Sequence, residues 1–102
     1  MDRIALLTEV LAANPSDAFA RYGLAMEHSK AGQTEAALAE FGKLLQQHPD
    51  YTAGYFMAAQ TLAAAGRTDE ARKMLQDGIA SALRTGNQHA QSEMEAMLAE
   101  LG

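Results

Sequence analysis

The chain is predicted to be all-α, with about six helices, on three observations. Strong helix formers dominate, Ala above all, while β-branched strand formers are scarce: the valine is Val10 and the isoleucines are Ile4 and Ile79. Apolar residues recur at helical rather than alternating spacing. Prolines and glycines return at a fixed interval and cut the chain into helix-sized segments.

That interval is thirty-four residues. It relates Pro15 to Pro49, Ala25 to Ala59, Ala31 to Ala65, Gly32 to Gly66, Thr34 to Thr68 and Ala37 to Ala71. The segment Ala31-Gly32-Gln33-Thr34-Glu35-Ala36-Ala37 returns as Ala65-Gly66-Arg67-Thr68-Asp69-Glu70-Ala71, with four identities in seven places. An internal period of this length marks a stack of supersecondary units, each burying its apolar side against its neighbours.

The elements follow from the punctuation. A first helix over 2–13 carries Ile4, Leu6, Leu7, Val10 and Leu11 and stops ahead of Pro15, which a helix interior excludes. A second spans 17–31, opened by Ser16 or Asp17 as a cap and closed at Gly32, a residue suited to the left-handed position that ends a helix. A third over 35–47, capped by Thr34, places Ala37, Leu38, Phe41, Leu44 and Leu45 on one face. Pro49 ends it, and Asp50 is expected to cap a fourth helix over 51–65, closed by Gly66. The fifth, capped by Thr68, covers 69–85 with a stripe of Ala71, Met74, Leu75, Ile79, Ala82 and Leu83. Gly86-Asn87 stops it, and a sixth helix over 88–101 presents Ala90, Met94, Met97, Leu98 and Leu101 on one face, with Glu93, Glu95 and Glu100 towards water.

This pattern resembles the tetratricopeptide repeat, W-x2-L-G-x2-Y, then A-x3-F, then P, over two antiparallel helices. In the first repeat Leu24-Ala25 stand for the Leu-Gly pair, Ala37 and Phe41 for A-x3-F and Pro49 for the closing proline; Arg21 and His28 depart from the aromatic positions. In the second, Tyr55 fills the Trp slot, Ala58-Ala59 the Leu-Gly pair, Leu62 the Tyr slot, and Ala71 with Leu75 the A-x3-F, while Leu83 stands where the closing proline belongs. The resemblance implies helix pairs stacked as a short right-handed α-α superhelix in one domain: a half-repeat helix at 1–14, repeats at 15–49 and 50–85, and a capping helix at 86–102.

The resemblance also implies a function, the binding of a peptide or helix of a partner protein in a concave groove lined by the first helix of each pair. Carried across, the lining is Phe19, Tyr22, Met26 and Ser29 from the second helix, and Ala53, Phe56, Met57, Gln60 and Ala63 from the fourth. The competing reading of Tyr22, Met26, Phe56 and Met57 is that they are core, or are covered by the C-terminal helix. Some family members hold a carboxylate with Lys and Asn on these helices; Tyr22, Met26 and Met57 at the corresponding places offer no charge, so no such clamp is expected. The alternative to a peptide groove is self-association, since the first helix carries more apolar surface than one neighbour need cover and a symmetric homodimer would bury it.

Composition narrows the remaining classes. Apolar residues make up 48% and charged ones 21%, as expected of a folded globular chain of 102 residues forming one domain. A net charge of −5 and eight scattered cations (Arg3, Arg21, Lys30, Lys43, Arg67, Arg72, Lys73, Arg84) give no phosphate-binding patch, so no nucleic acid is expected. No apolar run reaches the length of a membrane span, and Met1-Asp2-Arg3 does not open a signal peptide, so the chain is expected in the cytoplasm, away from membranes. There is no cysteine, and His28, His48 and His89 lack the short spacing of metal ligands, so neither metal nor cofactor is expected. No phosphate loop, nucleophile elbow or paired carboxylates occur, and the enzyme reading is set aside.

Overall fold

In the computed structural model, residues 2–102 are described; Met1, at the head of the expected half-repeat, lies outside them. Six helices follow one another, α1 (Arg3–Ala13), α2 (Ala18–Lys30), α3 (Thr34–Gln47), α4 (Thr52–Ala64), α5 (Thr68–Thr85) and α6 (Gln88–Leu101), with no strand among the described residues. Each packs against its sequence neighbour, and α2 and α4, α4 and α6 also meet across the intervening helix. The array is therefore a row of antiparallel helix pairs in which α2, α4 and α6 share one side.

Three turns are built alike. Gly32, Gly66 and Gly86 take φ of +75°, +76° and +68°, and the next N–H in each turn reaches back over the glycine to a helix carbonyl: Gln33 to His28, Arg67 to Leu62 and Asn87 to Ala82, each at 2.9 Å. These are the long bonds of the Schellman motif, which satisfy carbonyls at the helix end. One consequence corrects the expected caps. Gln33 and Arg67 occupy the cap positions without a side-chain bond, and Thr34 and Thr68 are already the first helical residues, because the turn brings the chain into helix one residue early.

The proline turns differ from each other. Asp17 caps α2 by accepting from the Ala20 N–H at 2.9 Å. Asp50 does not cap α4: its carboxylate accepts from Arg84 at 2.8 Å and from the Ser81 hydroxyl at 3.4 Å, leaving Tyr51 in the cap position without a side-chain bond. The fifth helix supplies both donors because, without a closing proline, it runs on to Thr85.

The interior is formed by two adjoining clusters and a smaller one at the α1 end. Ala25, Ala37, Phe41, Leu44 and Ala58 make the first; Tyr55, Ala59, Leu75, Ala82 and Met94 make the second; Leu11 with Ala20 and Leu24 closes the third. Small residues let the helices approach. At Gly78 a Cβ would stand 2.5 Å from Met94 Sδ and 2.6 Å from Tyr55 Cβ, so α4 and α6 converge on a notch in α5. The departure from an aromatic at position 21 is accommodated by polar partners: Arg21 is buried, pairs with Glu40 at 2.5 Å and donates to the Pro15 carbonyl at 2.9 Å. Thirty-four residues on, the Tyr55 hydroxyl donates to the Pro49 carbonyl at 2.6 Å, a bond of the same offset.

A concave trough between the first helices

The residues expected to line the concave side fall into three environments. Phe19 on α2 is 77% exposed, and Ala53 and Gln60 on α4 are exposed as well. Tyr22, Met26, Phe56, Met57 and Ala63 are half-buried. Their inner edges belong to the core: Tyr22, Met26 and Met57 pack on the Phe41 cluster and Phe56 on the Leu75 cluster, in line with the core reading of these four residues. Ser29 turns its hydroxyl to Thr61 Oγ1 at 2.8 Å and is occupied by the α2–α4 contact.

Tyr22 is fixed by its neighbours. Its ring stands edge-on to Phe41 at 6.5 Å and tilted against Tyr51 at 5.3 Å, which keeps it in place without a partner molecule. Burial pushes the Tyr22 phenol above its ordinary pKa, and that of Tyr51 likewise, the latter helped by Tyr22 and Asp17. Neither ionises near neutral pH, so both present neutral aromatic faces.

The C-terminal helix borders this surface instead of covering it. A cleft of about 230 Å³ lies between Tyr22, Phe56 and Met57 on one wall and His89, Ala90 and Glu93 on the other. A second, of about 350 Å³, continues it between Phe56 and Gln60 and the α6 residues Glu93, Ala96, Met97 and Glu100. Phe56 and Glu93 line both, so the two form one trough running lengthwise between α4 and α6.

The α6 wall lies outside the groove residues expected from sequence, although Glu93 and Glu100 are exposed to solvent as expected. The signal lies in the register. Because α5 overruns the missing proline, α6 follows α4 at an offset of thirty-six, under which His89, Glu93 and Ala96 take the places of Ala53, Met57 and Gln60. The two-residue shift after Leu83 brings one side of α6 alongside the trough while Met94 stays buried in the Leu75 cluster.

No group of three or more His, Asp or Glu side chains gathers as a metal site among the described residues. His28 Nδ1 lies 2.7 Å from Gln33 Oε1, His48 donates from Nε2 to the Ser16 carbonyl at 2.9 Å, and His89 sits 3.2 Å from Glu93. Lys30, at the far end of α2, is exposed and 3.8 Å from Glu27.

A stack of antiparallel helix pairs with glycine turns at a thirty-four-residue offset and a trough along its first helices defines a helical-repeat protein. The model of the tetratricopeptide repeat matches residues 28–101, and the chain belongs to that family. It is 32% identical over 95 residues to a TPR repeat-containing protein of Pseudomonas aeruginosa, covering 93% of this chain and 90% of the relative. Among solved structures it is similar to a tetratricopeptide repeat domain protein of Salinibacter ruber, with a TM-score of 0.80 and 34% identity over 86% of this chain and 89% of the other. The TPR2B domain of yeast Sti1, solved as a complex with pHsp70, shares the fold at a TM-score of 0.89, with 18% identity over 96% of this chain and 78% of that one.

Proposed function

We propose that this chain is a protein-interaction module that holds a segment of a partner protein along its concave side and carries out no catalysis. The observation that supports the reading is the trough itself: Tyr22, Phe56 and Met57 are anchored on the core by one edge and open to the cleft by the other. Aromatic and Met side chains held in this way give large contact area at low entropic cost, which suits a peptide or helix more than a small polar ligand. The family is made up in general of non-catalytic interaction modules, and the Sti1 domain was solved with a bound partner. No helix among the described residues is long and apolar enough to cross a membrane.

The test is capture of partners by the immobilised protein, comparing wild type with Tyr22→Ala and Phe56→Ala. Each is expected to weaken capture of a groove-bound partner by about 1 kcal/mol or more while the far-ultraviolet signal stays helical. Retention of the same partners by both variants at undiminished affinity would remove the groove.

A second reading has its own observation. Leu6 and Val10 are 46% and 37% exposed, one helical turn apart on α1, which packs against α2 alone. A symmetric pairing through this face would cover them, and light scattering at micromolar concentration is the measurement: a monomer at all salt concentrations sinks it.

A further inference from the structure

From the charge carried by the trough we infer the class of its occupant: an amphipathic helix of a partner protein, apolar on the side it buries and bearing two Lys or Arg residues seven positions apart. The inference rests on the groove reading above and adds the chemistry of what fills it.

The ionised groups lining the two clefts are Glu93 and Glu100, and neither cleft is lined by a Lys or Arg. Both carboxylates are exposed, on the same side of α6. Glu93 has His89 as its neighbour at 3.2 Å, and Glu100 has no ion-pair partner among the described residues. Other acidic groups nearby are already engaged: Asp50, at the mouth, by Arg84, and Glu27, on α2, by Arg3 and Lys30. Two carboxylates facing an apolar floor are an unfavourable setting for an acidic or neutral-polar segment and a favourable one for cations, in a chain whose net charge of −5 adds long-range attraction in the same sense.

Spacing gives the pattern. Glu93 and Glu100 are two turns apart on α6, roughly 10 Å at 1.5 Å per residue, with Phe56 and Met97 lying along the floor between them. A helix laid in the trough alongside α6 meets both carboxylates with basic residues at i and i+7, and meets Phe56 and Met97 with apolar residues at i+3 and i+4, which fall on that same face.

The experiment uses a fluorescein-labelled fifteen-residue helical peptide with two lysines seven apart flanking a pair of leucines, and a second with glutamates in place of those lysines. Binding is followed by anisotropy with wild type, Glu93→Gln/Glu100→Gln and Phe56→Ala. Wild type is expected to prefer the lysine peptide by about tenfold at low salt, a few-fold per exposed pair, with the preference shrinking as salt rises. The double Gln variant is expected to lose most of the preference while retaining binding through the leucines. Phe56→Ala is expected to weaken both peptides alike. Equal binding of the two peptides by wild type, or a preference that survives Glu93→Gln/Glu100→Gln, overturns the basic-helix assignment and leaves the groove standing if Phe56→Ala still weakens binding. No binding of either peptide at millimolar concentration, or binding that ignores Phe56→Ala, overturns both. Unchanged thermal melting of the double Gln variant excludes misfolding, since both positions are exposed and Gln is an equally good helix former.

Discussion

Replacing Gly78 by Ala should destabilise the fold, although the same change at Gly42 should stabilise it. Both glycines lie inside helices, where Ala is intrinsically better by about 1 kcal/mol. At Gly42 a Cβ meets nothing within 4 Å, so the backbone gain is realised in full, about 0.5–1 kcal/mol. At Gly78 it would stand 2.6 Å from Tyr55 Cβ and 2.5 Å from Met94 Sδ. The thioether can swing aside, but Tyr55 Cβ is fixed to the α4 backbone. Restoring an ordinary carbon–carbon distance of about 3.5 Å therefore moves α4 and α5 apart by nearly 1 Å. That separation opens the interface around Leu75, Ala59 and Ala82, at the upper end of the 1–3 kcal/mol that overpacking costs. The net is a loss of about 1–2 kcal/mol, read as a lower urea midpoint by circular dichroism with the slope unchanged, or roughly 5–15 °C in melting temperature. A Gly78→Ala midpoint at or above wild type would refute the close approach of α4 and α6 at this notch. A Gly42→Ala midpoint below wild type would refute the openness of the α3 surface.

Two further outcomes follow from the buried polar groups. Arg21→Ala removes a side chain that is 8% exposed and leaves Glu40 facing the interior with Lys43 at 3.7 Å as its remaining cation; a loss of about 2–3 kcal/mol in urea denaturation is expected, and a loss under 0.5 kcal/mol would show the pair to be incidental. All three tyrosines, Tyr22, Tyr51 and Tyr55, are held above the ordinary phenol value, burial being the main cause in each. A folded pKa raised above the unfolded one means that the associated stability is complete below about pH 10 and is lost as pH climbs through the folded values. Tyrosinate absorbance should thus appear at higher pH in the native protein than in urea, and coincident titration curves would contradict the packing around these rings.

Much of this architecture was legible because the thirty-four-residue period carries backbone requirements as well as hydrophobicity. Gly32 and Gly66 hold equivalent left-handed positions since the turn demands that conformation wherever it recurs, and Ala25, Ala37, Ala59 and Ala71, on the closely packed pairs α2–α3 and α4–α5, are all fully buried. The caps were less legible. Asp50 and Asp17 both follow a proline closely, but only the environment of Asp50 contains Arg84 and Ser81, thirty-odd residues away, and a charged donor outcompetes a backbone N–H. The residues bordering the trough were legible on α2 and α4, where the period holds, and not on α6, where two additional residues of α5 turn the register by about 200°, just over half a turn. Arg21 in an aromatic position gave no sequence sign of its ion pair, because Glu40 is nineteen residues off and carries no motif.

The matching bonds of Arg21 to Pro15 and Tyr55 to Pro49 have a bearing on how such arrays diversify. Each of the two proline carbonyls sits at a bend ahead of a helix and accepts a hydrogen from the end of a long side chain six residues on, so both proline-led units share the same vacancy. A guanidinium and a phenol fill it here, and they do so from the same station with unrelated shapes. Drift at that station is thereby tolerated as long as reach and a terminal hydrogen survive, and one unit can trade bulk for charge without disturbing how it hands on to the next.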